Sequence, residues 1–110
     1  MRGLVAHAQD KVNMFFAKVH KVGGEVLVAC CDADMLGKRL REGDLELHIS
    51  ESFYGGENVD AKRLMEMMAE ATSANLIGDK VVKLAVNEGI IEESGILDVC
   101  GTSHAQLFNL

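Results

Sequence analysis

The stretch MFFAKVHKVGGEVLVACCD, residues 14–32, decides the fold. Two runs rich in β-branched and aromatic residues flank Gly23 and Gly24, and paired glycines between such runs signal a tight hairpin turn. In the first run Phe15, Ala17 and Val19 share one side, while Phe16, Lys18 and His20 share the other. The second run, residues 26–31, is apolar on both sides, as in a strand covered on both faces. An antiparallel pair is the seed, and the remaining chain must supply further strands and cover.

Downstream, residues 32–44 are polar and turn-rich, with Leu36 and Leu40 spaced to anchor one helical turn. LELHIS, residues 45–50, then alternates: Leu45, Leu47 and Ile49 face inward, Glu46, His48 and Ser50 outward. ESFYGGENVD, residues 51–60, reads as a loop. Asn58 or Asp60 caps a helix whose apolar stripe is Leu64, Met67, Met68 and Ala71. A second helix carries Val82, Ala85, Val86 and either Ile77 or Val81, starts at Asn75 or Asp79, and stops near Gly89. ILDVC (96–100) and AQLFNL (105–110) are short strands, antiparallel because only GTSH joins them. Upstream, residues 1–13 show no clear period and read as an N-terminal extension, either a stretch ahead of a natural start at Met14 or a loosely packed arm, with no chemistry assigned, His7 included. The expected architecture is a single α+β domain over 14–110: a two-layer, mainly antiparallel five-stranded sheet with a helical pair packed on one face.

The 110 residues are 48% hydrophobic and 25% charged, a globular rather than disordered composition. The formal net charge of -6 excludes a strongly basic nucleic-acid binder of the histone kind, though not a local basic patch. Three cysteines make no disulfide scaffold, and Cys30 and Cys31, adjacent on a strand, point to opposite faces. Reduced thiols, no membrane-length apolar run and no signal-peptide pattern give a cytoplasmic expectation.

The phrases VHKVGGEVLVACCD, LGKRLREGDLELHISESFYGGE, ATSANLIGDKVVKLAVNEGII and SHAQLFNL together resemble a family of short archaeal proteins. It is the domain-of-unknown-function family numbered four hundred and twenty-four. The resemblance covers about residues 14–110. It implies an archaeal cytosolic protein of two-layer α/β character and carries over no catalytic residue.

Strand parity supplies the sharpest constellation. The sheet face opposite the helices would display Lys18 and His20, Glu46 and His48, and His104 and Gln106, beside Phe16 and Phe108. Rings, imidazoles and a lysine on one face are the inventory that stacks and hydrogen-bonds single-stranded RNA bases. The alternative is that Phe16 and Phe108 close a core edge or a dimer contact and the polar residues are merely wet. The run Lys38, Arg39, Leu40, Arg41 would position phosphates, or is a solvated turn over a buried Leu40. Phe53 to Glu57 is a binding loop displaying Tyr54, or a plug filling the core. In ANLIG, residues 74–78, Asn75 caps the following helix, or a free helix N-terminus there attracts an anion.

No G-x-S-x-G context surrounds a serine, and Cys100 with His104 is a thiol–imidazole pair by spacing alone. No catalytic residue, cofactor or metal site is assigned. The reading is a small non-enzymatic binding module associated with RNA or a translation component. The alternatives are a protein-interaction module (homodimer or partner binding) and a small enzyme using His48, His104 or Cys100.

Overall fold

The computed structural model describes residues 13–108 and 110. Its strands are β1 (Phe15–Val22), β2 (Glu25–Asp32), β3 (Arg39–Glu42), β4 (Leu45–His48), β5 (Glu57–Val59), β6 (Ser73–Ile77), β7 (Leu97–Val99) and β8 (Thr102–Phe108). Its helices are α1 (Glu51–Tyr54), α2 (Ala61–Ala69) and α3 (Asp79–Asn87), with 3-10 turns at Ala33–Met35 and Glu93–Gly95. Six strands form one sheet in the order β5-β1-β2-β6-β8-β7, and β3-β4 is a separate hairpin. Among the described residues only β2 and β6 run parallel; every other pair is antiparallel. The expected extension over residues 1–13 lies outside the described residues except for Asn13. Among the described residues no helix is long and apolar enough to cross a membrane.

The mixed α+β class stands, while the strand count changes from five to six plus a hairpin. The additions have local causes. Residues 73–77, assigned to a helix start from sequence, alternate buried Ala74 and Leu76 with half-buried Ser73 and Asn75. That is the period of a strand, so Asn75 lies mid-strand and caps nothing, and α3 begins at Asp79. Asn58 and the residues beside it pair with the start of β1 as β5, while Asp60 is the cap of α2, accepting from Arg63 N at 2.8 Å. In the turn-rich segment the short helical turn falls at Ala33–Met35, and Leu40 sits in β3 opposite Leu47. Part of the presumed 51–60 loop is α1, capped by the Ser50 hydroxyl, which accepts from Phe53 N at 3.3 Å.

One sheet face is covered as expected. Leu64, Met67 and Met68 of α2 and Val81, Val82 and Ala85 of α3 pack on Phe15, Ala17, Val28, Cys30, Ala74, Leu76 and Ala105. The other face is not open throughout. Phe16, Ala29, Cys31 and Ile77 are covered by Ile49, Tyr54 and Phe53 and by Leu40 and Leu47 of the hairpin, with Met35 and Leu36. A two-layer description therefore fails over this half, where hairpin and α1 add a third layer. Of the three hairpin residues expected inward, Ile49 is fully buried and Leu47 half-buried, but Leu45 is exposed.

The parallel pairing sets Cys31 beside Ile77, so Asp32 stands next to Gly78 and the first turn of α3. The Asp32 carboxylate, 5% exposed, accepts from Lys80 N at 3.0 Å and from Val81 N at 2.8 Å. It satisfies two amides that a helix start otherwise leaves bare. Burial pushes this carboxyl above the usual carboxylate range, and the two main-chain donors pull back only part of the way. Its folded state thus holds a proton more tightly than its unfolded state, and this contribution is lost as pH rises through the folded value. Asp32→Ala should cost about 2 kcal/mol at neutral pH, by stranding the two amides. The gap from wild type should widen on acidification toward the carboxylate range, as denaturant midpoints at several pH values will read. A gap that narrows would mean that the main-chain donors outweigh burial.

Candidate binding surface

Registers place Phe16, Lys18 and His20 of β1, Leu27, Ala29 and Cys31 of β2, Ser73, Asn75 and Ile77 of β6, and His104, Gln106 and Phe108 of β8 on one face. It is the face away from α2 and α3. Four of the nine candidate residues, Lys18, His20, His104 and Gln106, therefore share it, but they are not equally available. α1 lies over the β1 end. Lys18 Nζ donates to Ser52 O at 2.9 Å, and His20 Nε2 lies 2.8 Å from Phe53 O with its ring stacked on Phe53 at 4.9 Å.

Tyr54 is a plug rather than a displayed ring. It is buried, meets Phe53 edge-on at 4.8 Å, and donates its hydroxyl to Asn75 Oδ1 at 2.7 Å. Burial pushes the phenol up to about 12. The glycines after it serve close approach, since a Cβ on Gly56 would stand 2.6 Å from Ala17 O.

The other candidates lie on the hairpin, outside the main sheet. Arg39 and Arg41 both pair with Glu46, at 3.5 and 3.0 Å, and His48 faces Arg39 across the hairpin. Lys38 is exposed at its entry, where its carbonyl accepts from Ile49 N. The expectation that His48 and Glu46 line the sheet face with His20 and His104 is thus corrected: their strand pairs with β3 alone. The basic run matches its solvated alternative, with Leu40 turned inward and the guanidinium groups partnered by a carboxylate.

His104 stands between Leu97 and Ile77, and partial burial holds its imidazole below the ordinary range by disfavouring the charged form. Burial also pushes both adjacent thiols upward, Cys31 to about 12, which leaves them protonated and poor nucleophiles. Cys100 sits in the β7–β8 turn at φ 52°, its Sγ 4.0 Å from Leu45 O. Among the described residues no hydrogen bond joins Cys100 to His104, and no group of three or more His, Cys, Asp or Glu side chains gathers at metal-binding range.

The least protected part of the sheet is the outer side of β8, which carries His104, Gln106 and Phe108. β7 pairs with β8 only at Thr102, Ser103 and His104. Residues 105–108 therefore have no outer strand. Ser103 O accepts from Gly78 N, so the main-chain groups of Ser103, Ala105 and Leu107 turn toward β6. Those of Gln106 and Phe108 turn outward, and among the described residues nothing pairs with them. Phe108 is 73% and Leu97 61% exposed. A groove of about 460 Å³ follows this edge, lined by Ile90, Ile91, Glu92, Gln106, Leu107 and Phe108. The far edge differs: β1 beyond its pairing with β5 carries Lys18 and Lys21, the charges that normally guard a free edge. The stretch Ala105, Gln106, Leu107, Phe108 carries no charge, proline or glycine. That absence was the available signal, but it acquires meaning only once β7 is known to stop at Leu97.

A family model described as "Protein of unknown function (DUF424)" matches residues 20–110. No curated protein matches the chain. Among solved structures, the chain is similar to an uncharacterized conserved protein from Methanopyrus kandleri, at 30% identity and a TM-score of 0.75, over 87% of this chain and 91% of that one.

Proposed function

The chain belongs to the DUF424 family, and because that family's description carries no activity, we propose from the chain's own geometry that it is a non-enzymatic protein-interaction module. The docking surface is the outer edge of β8 with the sheet face beside it, around Leu97, His104, Gln106 and Phe108. The observation that carries this reading is an unguarded strand edge ending in a phenylalanine 73% exposed. The buried thiols offer no nucleophile, which sets a cysteine-based activity at Cys30 or Cys31 behind it. An RNA surface fits less well, because phosphate neutralisation supplies most of such affinity. Here burial disfavours the charged form of His104, Arg39 and Arg41 are paired with Glu46, and the net charge is -6.

The test immobilises the full chain in cell extract, with and without nuclease treatment, and maps cross-links to whatever is retained. A polypeptide should cross-link near residues 97–108. Phe108→Glu should weaken its retention roughly tenfold or more, while simultaneous replacement of Lys38, Arg39 and Arg41 by alanine leaves it unchanged. Retention that is nuclease-sensitive, or lost in the triple variant and kept in Phe108→Glu, overturns the reading in favour of RNA.

A further inference from the structure

We infer that β8 takes its partner by strand addition, as an extended segment in which Lys or Arg alternates with an apolar residue and which pairs with the main chain of Gln106 and Phe108. The inference rests on the docking reading above and specifies its chemistry. Gln106 and Phe108 each turn an N–H and a C=O outward, the arrangement that an added strand completes. Such groups give affinity without regard to sequence, and flanking side chains then select the segment.

The slot is short. It is closed at one end by Leu97, which already pairs with His104, leaving four residues of β8, about 13 Å of strand. That length suits a linear segment and disfavours a symmetric pair of β8 strands in the register that sets Gln106 against Phe108 of a second copy. If Gln106 paired with Phe108 of a second copy, the same antiparallel register would set that copy's residue 110 opposite His104, where Leu97 stands. Charge points the same way. Among the described residues Glu92 is the groove's one charged lining side chain, and a second copy would bring another net charge of -6.

The two faces of the sheet assign the side chains of the incoming strand. Ile90, Ile91 and Leu107 belong to the helix-side core, so Glu92 lies beside residues that the added strand points toward the helices. A Lys or Arg there meets the carboxylate. The next residue points to the other face and meets Phe108, whose ring is otherwise in water. The alternation thus follows from the strand period itself.

The test adds a capped peptide of about seven residues alternating lysine and valine to the full chain. Amide hydrogen exchange is followed by NMR. Exchange at Gln106 and Phe108 should slow roughly tenfold or more, while Ala105 and Leu107, already turned to β6, should not change. A glutamate–valine peptide should bind roughly tenfold more weakly or worse, and N-methylation of alternate residues should abolish the protection. Absent protection, or equal binding by the N-methylated peptide, overturns strand addition. Protection of these two amides without peptide, rising with protein concentration and accompanied by a sedimenting dimer, replaces the peptide with a second copy. If the extract partner cross-links at residues 97–108 while both amides stay unprotected, docking stands and strand addition falls. Cross-links elsewhere remove the docking reading itself.

Discussion

Gly78→Ala should lower stability by about 3–5 kcal/mol, the sum of backbone strain and a disrupted helix cap. Gly78 has φ 126°, in the region that side chains avoid. A Cβ there would stand 2.4 Å from Asp32 Cγ and 2.6 Å from each carboxylate oxygen. Asp32 cannot step aside cheaply, because both oxygens are bonded to the first turn of α3 and the side chain is buried. For a chain of this length the loss corresponds to a fall in Tm of roughly 15–30 °C. A double-mutant cycle separates the two causes. With Asp32→Ala already present the clash disappears, and Gly78→Ala should then cost only the strain, about 1–3 kcal/mol. Full additivity, or a variant with nearly the wild-type midpoint, would rule out the close approach described at this corner.

Ile49→Ala should cost about 3 kcal/mol, within the usual span for a large-to-small change in a core. Ile49 is fully buried and its main chain bonds both ways, donating to Lys38 O at 2.9 Å and accepting from Gly37 N at 2.7 Å. It is the most deeply buried residue that the covering segments set against Ala29, Cys31 and Ile77. Truncation therefore loosens the cover and not merely the core. The discriminating readout is thiol alkylation. Cys31 faces the cover and Cys30 faces the helices, both fully buried. In the variant Cys31 should react faster under native conditions while Cys30 stays protected. Equal acceleration at both cysteines would mean global unfolding, and none at either would mean that Ile49 does not hold the cover down.

Much of this arrangement was legible from period alone. The Gly23–Gly24 hairpin, the stripes of α2 and α3, and the shared face of Lys18, His20, His104 and Gln106 all follow from local spacing. What escaped was non-local or too short. β6 offers only five residues, and its strand character depends on pairing with β2, more than forty positions away. The burial of Tyr54 depends on Asn75, and the lids over Lys18 and His20 depend on where α1 comes to rest. The basic run was visible as charge, but its pairing with Glu46 needed the hairpin register. The free edge of β8 is a fact about where another strand ends.

The Asp32 carboxylate reaches 48 and 49 positions along the chain to the amides it serves. Its consequence is one of assembly order. The initial hairpin closes over a two-residue turn, whereas the leading turn of α3 is secured only after β2 and β6 have aligned, with the entropy of a long closed loop already spent. The opening turn of α3 is thus held by the first hairpin, and its capping waits on the alignment of β2 with β6.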